Sequence, residues 1–188
     1  MKNVRLKTVL LGLLVLPLFS CEKDDHEPHD DHDHEQELIT TLELNLTNDS
    51  NVTTTVVFSD PDGPGGNEPV QFDTLRLLVG EQYQGSIRLF NESVSPREEL
   101  TSEIEEEAEE HMFCFNTTWE SAEGGAVLIS YEDEDANGVA VGLLSKWIPE
   151  VTGVGHVTVS LKHQSEGKVG SCSDGETDIE IAFPLIVE

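Results

Sequence analysis

Positive charge is scarce in this chain of 188 residues, which has 10 lysines and arginines against 38 aspartates and glutamates. The formal net charge at pH 7 is −28. A surface this negative repels phosphate groups and anionic lipid headgroups. The composition therefore argues against nucleic acid as a partner. It suits cations, or it serves solubility near a negatively charged surface.

Motifs of the common enzyme classes are also absent from the sequence. The chain contains no G-x-S-x-G, no H-E-x-x-H, no glycine loop of the phosphate-cradling kind and no C-x-x-C. Acidic pairs are abundant, but they carry little information in a chain this acidic. We therefore expect a protein that is not an enzyme.

Long apolar runs are confined to the first 20 residues. Lys2, Arg5 and Lys7 precede an apolar run over residues 9–19, which is too short to cross a bilayer as a stable helix. This order is typical of a signal peptide, which we predict at residues 1–20.

The residues that end this run point to a lipid anchor. Leu-Phe-Ser before Cys21 resembles the lipobox of bacterial lipoproteins, in which a small residue precedes a cysteine that is acylated. Two or three acyl chains, palmitate among them, are enough for stable membrane anchoring. We predict that Cys21 carries them. A chance cysteine behind an ordinary secretory signal is the alternative.

A short acidic cluster follows Cys21, formed by Glu22, Lys23, Asp24 and Asp25. It resembles the export signal of Bacteroidota lipoproteins, which directs a lipidated protein to the outer cell surface. The resemblance implies a location in the outer membrane, facing the cell exterior.

Residues 21–37 consist almost wholly of acids and histidines. Such a segment buries too little apolar surface to offset chain entropy, so we predict a disordered tether. Imidazole and carboxylate suit zinc, nickel or copper(II), and the tether offers four imidazoles: His26, His29, His32 and His34. Transient metal binding and a merely solvated spacer both remain open.

Period-two alternation from Leu38 onward predicts one all-β domain over residues 38–188. Leu42, Leu44 and Leu46 alternate with polar residues, and a turn at 48–51 leads to a partner strand. Further strand signals lie at 72–79, 83–90, 126–132, 138–144, 155–163 and 178–187. Seven or eight antiparallel strands at this spacing predict an immunoglobulin-like β-sandwich.

One segment breaks this pattern and predicts a short acidic helix on the sandwich. Ser95 and Glu98 have the spacing of a capping box, with Pro96 at the first helical position. An apolar residue then recurs every four positions, as in a narrow packed stripe: Leu100, Ile104, Ala108 and Met112.

This predicted helix carries a candidate metal-binding pair. Glu107 and His111 are four residues apart, so they share a helix face and could hold one ion. A histidine that only interacts with the helix dipole is the simpler interpretation, and we favour it. His163 has the parity of Leu161 and is expected to point inward as a third ligand, although the sequence does not place it near His111.

Two loops have the spacing of calcium ligands. Asp133, Asp135 and Asn137 precede a glycine in the order of a D-x-D-x-N-G loop, but the twelfth position is Leu144 instead of a bidentate glutamate. A second loop carries an Asp-x-Asp pair at residues 60–62 before a glycine. Hairpin turns need the same residue types, so a turn without calcium remains the alternative.

Two cysteines remain beyond the predicted anchor, Cys114 and Cys172. An exported protein could join them in a disulfide. Free buried thiols are the alternative, and the sequence favours neither.

Five stretches of the chain occur in a recognisable order: DPDGPGG, YQGSIRLFNES, EIEEEAEEHMFCF, YEDEDANG and VTVSLKH. Together they resemble a family of uncharacterised Bacteroidota envelope lipoproteins, often found in the company of TonB-dependent outer-membrane receptors. The resemblance covers about residues 38–163. It implies an accessory lipoprotein of the outer membrane with such a receptor as partner, and it supplies no functional residues.

Two functions are compatible with these features. The first is a surface module that captures a metal ion such as Zn²⁺, another divalent cation or a small nutrient. The second is a structural or adhesive surface lipoprotein with no small ligand. The histidines of the tether and the Glu107–His111 pair favour the first.

Overall fold

A computed structural model describes residues 37–120, 124–165 and 167–188. The predicted signal peptide, Cys21, the acidic cluster at residues 22–25 and the four histidines at residues 26–34 lie outside this part of the chain. The described residues form eleven strands and one helix. In chain order these are β1 (Thr41–Asn48), β2 (Thr53–Ser59), β3 (Gln71–Phe72), β4 (Leu75–Leu77), β5 (Tyr83–Asn91), β6 (Glu98–Glu99), α1 (Thr101–Glu106), β7 (His111–Trp119), β8 (Ala126–Tyr131), β9 (Leu144–Val151), β10 (Gly153–His163) and β11 (Glu176–Val187).

The strands form two sheets packed face to face. One has the order β3-β2-β1-β5-β9-β8, with β6 paired to β5, and the other has the order β4-β11-β10-β7. Neighbouring strands run antiparallel except for β4 and β11, which are parallel. The prediction of a mainly antiparallel all-β sandwich with one short acidic helix is confirmed. Two packed sheets agree with the immunoglobulin-like expectation at that level.

Alternate residues of the strands meet in one apolar core between the sheets. The parity predicted from the sequence holds, because the side chains that alternate with polar neighbours in β1 and β10 are fully buried: Leu42, Leu44, Leu46, Val157, Val159 and Leu161. Burying an aliphatic side chain of this size is worth about 1.5–3 kcal/mol. This core fixes which face of β10 points inward, and hence where the last residue of that strand points.

The predicted start of the helix is wrong. The N-cap of α1 is Leu100, which makes no side-chain capping hydrogen bond, so Ser95 and Glu98 do not form a capping box. Glu98 and Glu99 instead pair with the end of β5 as β6. Arg88 of β5 donates two hydrogen bonds to the Glu99 carboxylate, of 3.1 and 3.0 Å. Strand pairing therefore outcompetes helix formation in this segment.

The far end of the predicted helix is also wrong, because α1 stops at Glu106 and β7 begins at His111. Ile104 packs into the core as expected, whereas Met112 is buried as part of β7. Three strands were missed, β6, β7 and β9. The strand predicted at 138–144 is a loop with a single bridge between Glu134 and Ala140.

A loop at residues 164–175 joins β10 to β11 and is tied to β7 by a disulfide. Cys114 and Cys172 form this bond, with their Cα atoms 5.8 Å apart. The sequence left the disulfide and two free thiols open, and the structure has the disulfide. The bond holds the loop beside the first residues of β7.

Lys168 fixes the same loop from inside the protein. Its ammonium group, 1 % exposed, lies 2.9 Å from Asp135 Oδ2. The ammonium also donates hydrogen bonds to four backbone carbonyls, those of Ala108, His111, Val139 and Ala140. One side chain thus joins the loop to the turn after α1 and to the loop before β9.

No helix within the three described ranges is long and apolar enough to cross a membrane.

Candidate metal centre

Four side chains from four separate segments converge at one end of the sandwich. Glu37 lies just before β1, His111 begins β7, His163 ends β10, and Asp178 lies near the start of β11. One potential ligand atom from each residue lies within 4.8 Å of the other three. We refer to these four residues as the metal centre.

Strand register explains how the two histidines meet. β7 and β10 are antiparallel neighbours, and His111 is paired with His163 at the end of the ladder. Their rings are tilted by 34° with centroids 4.6 Å apart. Directly opposed residues on neighbouring strands bring their side chains together on one face of the sheet. The inward parity of Leu161 then sets His163 toward the interior.

A β-bulge brings Asp178 into the same place. Leu161 pairs with Ile179 and Lys162 pairs with Thr177, so the register shifts by one residue at Asp178 of β11. Bulges of this kind redirect a side chain and are frequent next to functional sites. The Asp178 side chain is 1 % exposed, in a stretch where strict alternation would place an acid outside.

The four side chains are almost completely withdrawn from solvent. The exposed fractions are 8 % for Glu37, 0 % for His111, 9 % for His163 and 1 % for Asp178. Charged side chains are rarely this buried unless they are paired or bind a metal. Two carboxylates in such a position create a strong preference for a cation.

The distances within the metal centre are close to those of a tetrahedral site. His111 Nε2 lies 3.5 Å from Glu37 Oε1 and 3.8 Å from Asp178 Oδ2. Zinc–ligand bonds of about 2.0–2.1 Å in a tetrahedron separate the ligand atoms by about 3.3 Å. Small side-chain movements would therefore bring these atoms to metal-binding distance.

Neighbouring groups orient both imidazoles. His111 Nδ1 lies 3.3 Å from the carbonyl oxygen of Glu107, and its Nε2 faces the two carboxylates. A ligand histidine in metalloproteins commonly donates its other ring N–H to a carbonyl or a carboxylate in this way. His163 Nε2 lies 3.3 Å from Glu110 Oε2. The turn after α1 thus supports both rings.

One buried polar atom of Glu37 and one of His111 lack a hydrogen bond. These are His111 Nε2, whose nearest carboxylate oxygen is 3.5 Å away, and Glu37 Oε2. A buried polar atom left without a hydrogen bond costs about 1–3 kcal/mol. A bound cation would satisfy both atoms at once.

The charges of the metal centre shift two pKa values in opposite directions. Burial acts to lower the pKa of His111, but the adjacent Glu37 carboxylate, together with the negative charge of Asp178, outweighs it and raises the pKa. Burial acts to raise the pKa of Glu37, yet its interaction with His111 leaves that pKa lowered. The raised pKa of His111 favours a positively charged imidazole beside the two carboxylates.

We expect Glu37→Gln to destabilise the metal-free protein most between about pH 4.5 and 6.5. The raised pKa of His111 stabilises the fold below its unfolded value of about 6.5, and this contribution is lost as pH rises through the folded value. The lowered pKa of Glu37 stabilises the fold above about 4.5, and this contribution is lost on acidification below that. Urea unfolding in a chelator at pH 5.5 and 8.5 measures the difference.

Glu106→Gln, which removes an exposed carboxylate at the end of α1, is the matched control for this experiment. Nuclear magnetic resonance titration of the His111 ring should show its pKa falling in Glu37→Gln but not in the control. A stability loss of equal size at both pH values would contradict the assignment of the shift to this pair.

The sequence identified part of this site. His163 points inward, as predicted from its parity, and His111 is a member of the metal centre. Glu107 differs from the prediction, because its side chain is 43 % exposed with Oε2 3.8 Å from His111 Nδ1, and its backbone carbonyl makes the closer contact. Glu37 and Asp178 were missed, since one ended the acidic tether and the other stood at the start of a strand.

The predicted calcium loop at Asp133, Asp135 and Asn137 is a hairpin turn. Asp133 accepts hydrogen bonds from the backbone of Gly142 and Leu144. Asp135 Oδ1 accepts two from the backbone, at Asn137 and Val139, and its other oxygen faces Lys168. These oxygens satisfy the turn itself and an ammonium group, so the turn interpretation replaces the calcium interpretation here.

A cavity adjoins the metal centre on each of two sides. One, of about 430 Å³, is lined by His163 and by residues of the loop at 164–175 and the start of β11. The other, also of about 430 Å³, is lined by Asp178 together with Thr40, Asp60 and Glu180.

No protein-family model, curated protein or solved structure matches this chain.

Proposed function

We propose that this protein is a lipid-anchored module of the outer membrane, facing the cell exterior, that binds a divalent transition-metal ion at the metal centre. The observation that supports the proposal is the convergence of two imidazoles and two carboxylates, all at least nine-tenths buried, within 4.8 Å of one another. Anchoring through Cys21 and export through residues 22–25 complete the proposal from the sequence side.

Zn²⁺ is the ion that this ligand set favours. Two nitrogens and two oxygens form a borderline donor set, which suits zinc better than the harder calcium or magnesium. Four protein ligands fill a tetrahedral site and leave no open position for a substrate, as in sites that hold an ion without performing chemistry on it. The proposal is therefore metal binding and not catalysis.

The histidines that precede the domain fit a role in collecting the ion. His34 is three residues before Glu37, a chain length of at most about 11 Å. We propose that His26, His29, His32 and His34 bind zinc weakly and raise its concentration beside the metal centre, where a TonB-dependent receptor would be the partner. Effective concentrations for such short links are in the millimolar range.

A second candidate function follows from the positions of the four ligands. They come from the segment before β1 and from three strands, so a bound ion would cross-link most of one end of the domain. In this alternative the protein is a structural or adhesive surface lipoprotein, and zinc only stabilises its fold.

We expect the soluble protein that begins after Cys21 to bind one zinc ion with a sub-micromolar dissociation constant. His111→Ala and His163→Ala should each weaken this step at least 100-fold, about 2.8 kcal/mol, because each removes a ligand. His156→Ala is the matched control, since it removes a histidine from the opposite end of the same strand, β10. Isothermal calorimetry at pH 7.5 measures all four proteins.

Replacing the four histidines at residues 26–34 separates the two parts of the proposal. That variant should still bind one zinc ion with a sub-micromolar dissociation constant and should lose only the weaker zinc binding. Loss of the tight step in this variant, with His111→Ala unaffected, would place the site in the N-terminal segment and contradict the proposal. The proposal would also be contradicted if His111→Ala and His163→Ala both bound zinc as tightly as the wild type.

A further inference from the structure

Asp60 occupies an unusual position at the end of β2. Its backbone N–H donates to the carbonyl of Thr40, at 2.8 Å, and its carbonyl accepts from Gly63 N–H, at 3.0 Å. The backbone is therefore fixed on both sides. The residue is 9 % exposed, and its Oδ1 atom is buried without a hydrogen-bond partner. If the Asp60 carboxylate is ionised, this oxygen needs a cation beside it, and otherwise it must carry a proton.

Asp62 provides a second carboxylate beside the first. Its Oδ2 accepts hydrogen bonds from the backbone N–H and the side-chain amide of Asn67, at 2.8 and 2.6 Å. The carboxylate also rests against Gly66, where a Cβ would not fit. These hydrogen bonds lower the pKa of Asp62, so it remains ionised and fixed next to Asp60.

The two carboxylates destabilise each other in the absence of a cation. The Asp60 and Asp62 side chains interact directly with each other. A cation held between two adjacent carboxylates relieves their repulsion. The backbone and Asn67 contacts prevent the two groups from simply moving apart.

The surroundings of Asp60 offer oxygen and no other donor. The cavity of about 430 Å³ that it lines also has the acidic residues Asp178 and Glu180 in its wall, with no histidine or cysteine among its lining residues. Hard cations with oxygen ligands, calcium above all, match such a site. Zinc, which favours nitrogen and sulfur, matches the metal centre better.

We propose that Asp60 and Asp62 form a second cation site, built from oxygen ligands alone, that binds Ca²⁺ where Asp60 lines the cavity bordering the metal centre and the exposed Asp62 lies beside it. Two carboxylates with neutral oxygens resemble the weak sites of extracellular modules, which have dissociation constants of about 10⁻⁴–10⁻³ M. Neither Asp60 nor Asp62 is a ligand in the zinc proposal. The two sites are related only through Asp178, which belongs to the metal centre and lines the cavity beside Asp60.

Equilibrium dialysis of the soluble protein with radioactive Ca²⁺ tests this site. We expect one saturable ion per chain, and at least tenfold weaker binding in Asp60→Asn and in Asp62→Asn. Asp49→Asn, which removes an exposed aspartate in the turn after β1, is the matched control and should bind like the wild type. His111→Ala should also keep calcium binding, because no imidazole takes part.

A thermal melt separates loss of the site from loss of the fold. In calcium-free buffer Asp60→Asn should melt at the same temperature as the wild type or higher, since it removes a repulsive charge. Adding calcium should raise the melting temperature of the wild type and of Asp49→Asn, but not that of Asp60→Asn. The proposal is overturned if binding is not saturable, if Asp60→Asn binds as well as Asp49→Asn, or if His111→Ala abolishes binding while Asp60→Asn does not.

Discussion

Replacing Lys168 with methionine is expected to destabilise the folded domain by about 3–5 kcal/mol, the cost typical of breaking a buried ion pair by removing one partner. The ammonium lies 2.9 Å from Asp135 Oδ2 and donates to four backbone carbonyls. Methionine has a similar length but no donor, so it would leave a buried carboxylate and the carbonyls without this partner. Urea unfolding at pH 7.5 measures the loss.

Two further variants make this experiment decisive. Lys146→Met removes a lysine from β9 that none of these carbonyls contacts, and it should cost less than about 1 kcal/mol, as is usual for surface sites. Combining Lys168→Met with Asp135→Asn should recover part of the loss, because the unpaired charge is then gone. Equal losses for Lys146→Met and Lys168→Met would show that the buried ammonium is not required.

Removing the disulfide by Cys114→Ala with Cys172→Ala is expected to cost about 4 kcal/mol. The two cysteines are 58 residues apart, and closing a loop of this length in the unfolded chain accounts for about that value in the chain-entropy treatment. The soluble protein lacks Cys21, so no other cysteine can form an alternative bond. Urea unfolding of this double variant, and of the wild type with and without reductant, measures the effect.

The disulfide should also affect zinc binding. It fixes the loop between His163 and Asp178, so without it these two ligands are expected to be less well ordered and the zinc affinity to fall by about tenfold or more. A chain that loses less than 1 kcal/mol of stability on removal of the bond would contradict the entropy argument. Unchanged zinc affinity would show that the strands alone order the ligands.

Local patterns predicted the sandwich well, because period-two burial in β1 and β10 depends on neighbouring residues only. The errors arose where two patterns competed. Met112 continued the four-residue apolar spacing of the helix, yet β7 gains a full ladder of hydrogen bonds with β10. In β9, Lys146 and Pro149 obscured a strand whose central residue, Trp147, is fully buried.

The metal centre was only half predictable for a related reason. His111 was a candidate ligand because it lies four residues after Glu107 in the predicted helix. His163 was a candidate because it has the same strand parity as the inward-facing Leu161. Glu37 and Asp178 had no such signal, because acids are abundant in this chain and only the three-dimensional register distinguishes these two. A one-residue bulge brings Asp178 into the centre, and no periodicity reveals where a strand will skip a pairing.

The position of Glu37 has a mechanical consequence. It lies four residues before the start of β1, and its side chain is 3.5 Å from His111 of the other sheet. If Cys21 carries the proposed lipid anchor, a pull from that residue along the chain passes Glu37 before it reaches β1. An ion held between Glu37, β7, β10 and β11 would spread that pull over both sheets, so zinc would raise the force needed to detach β1 from its neighbours.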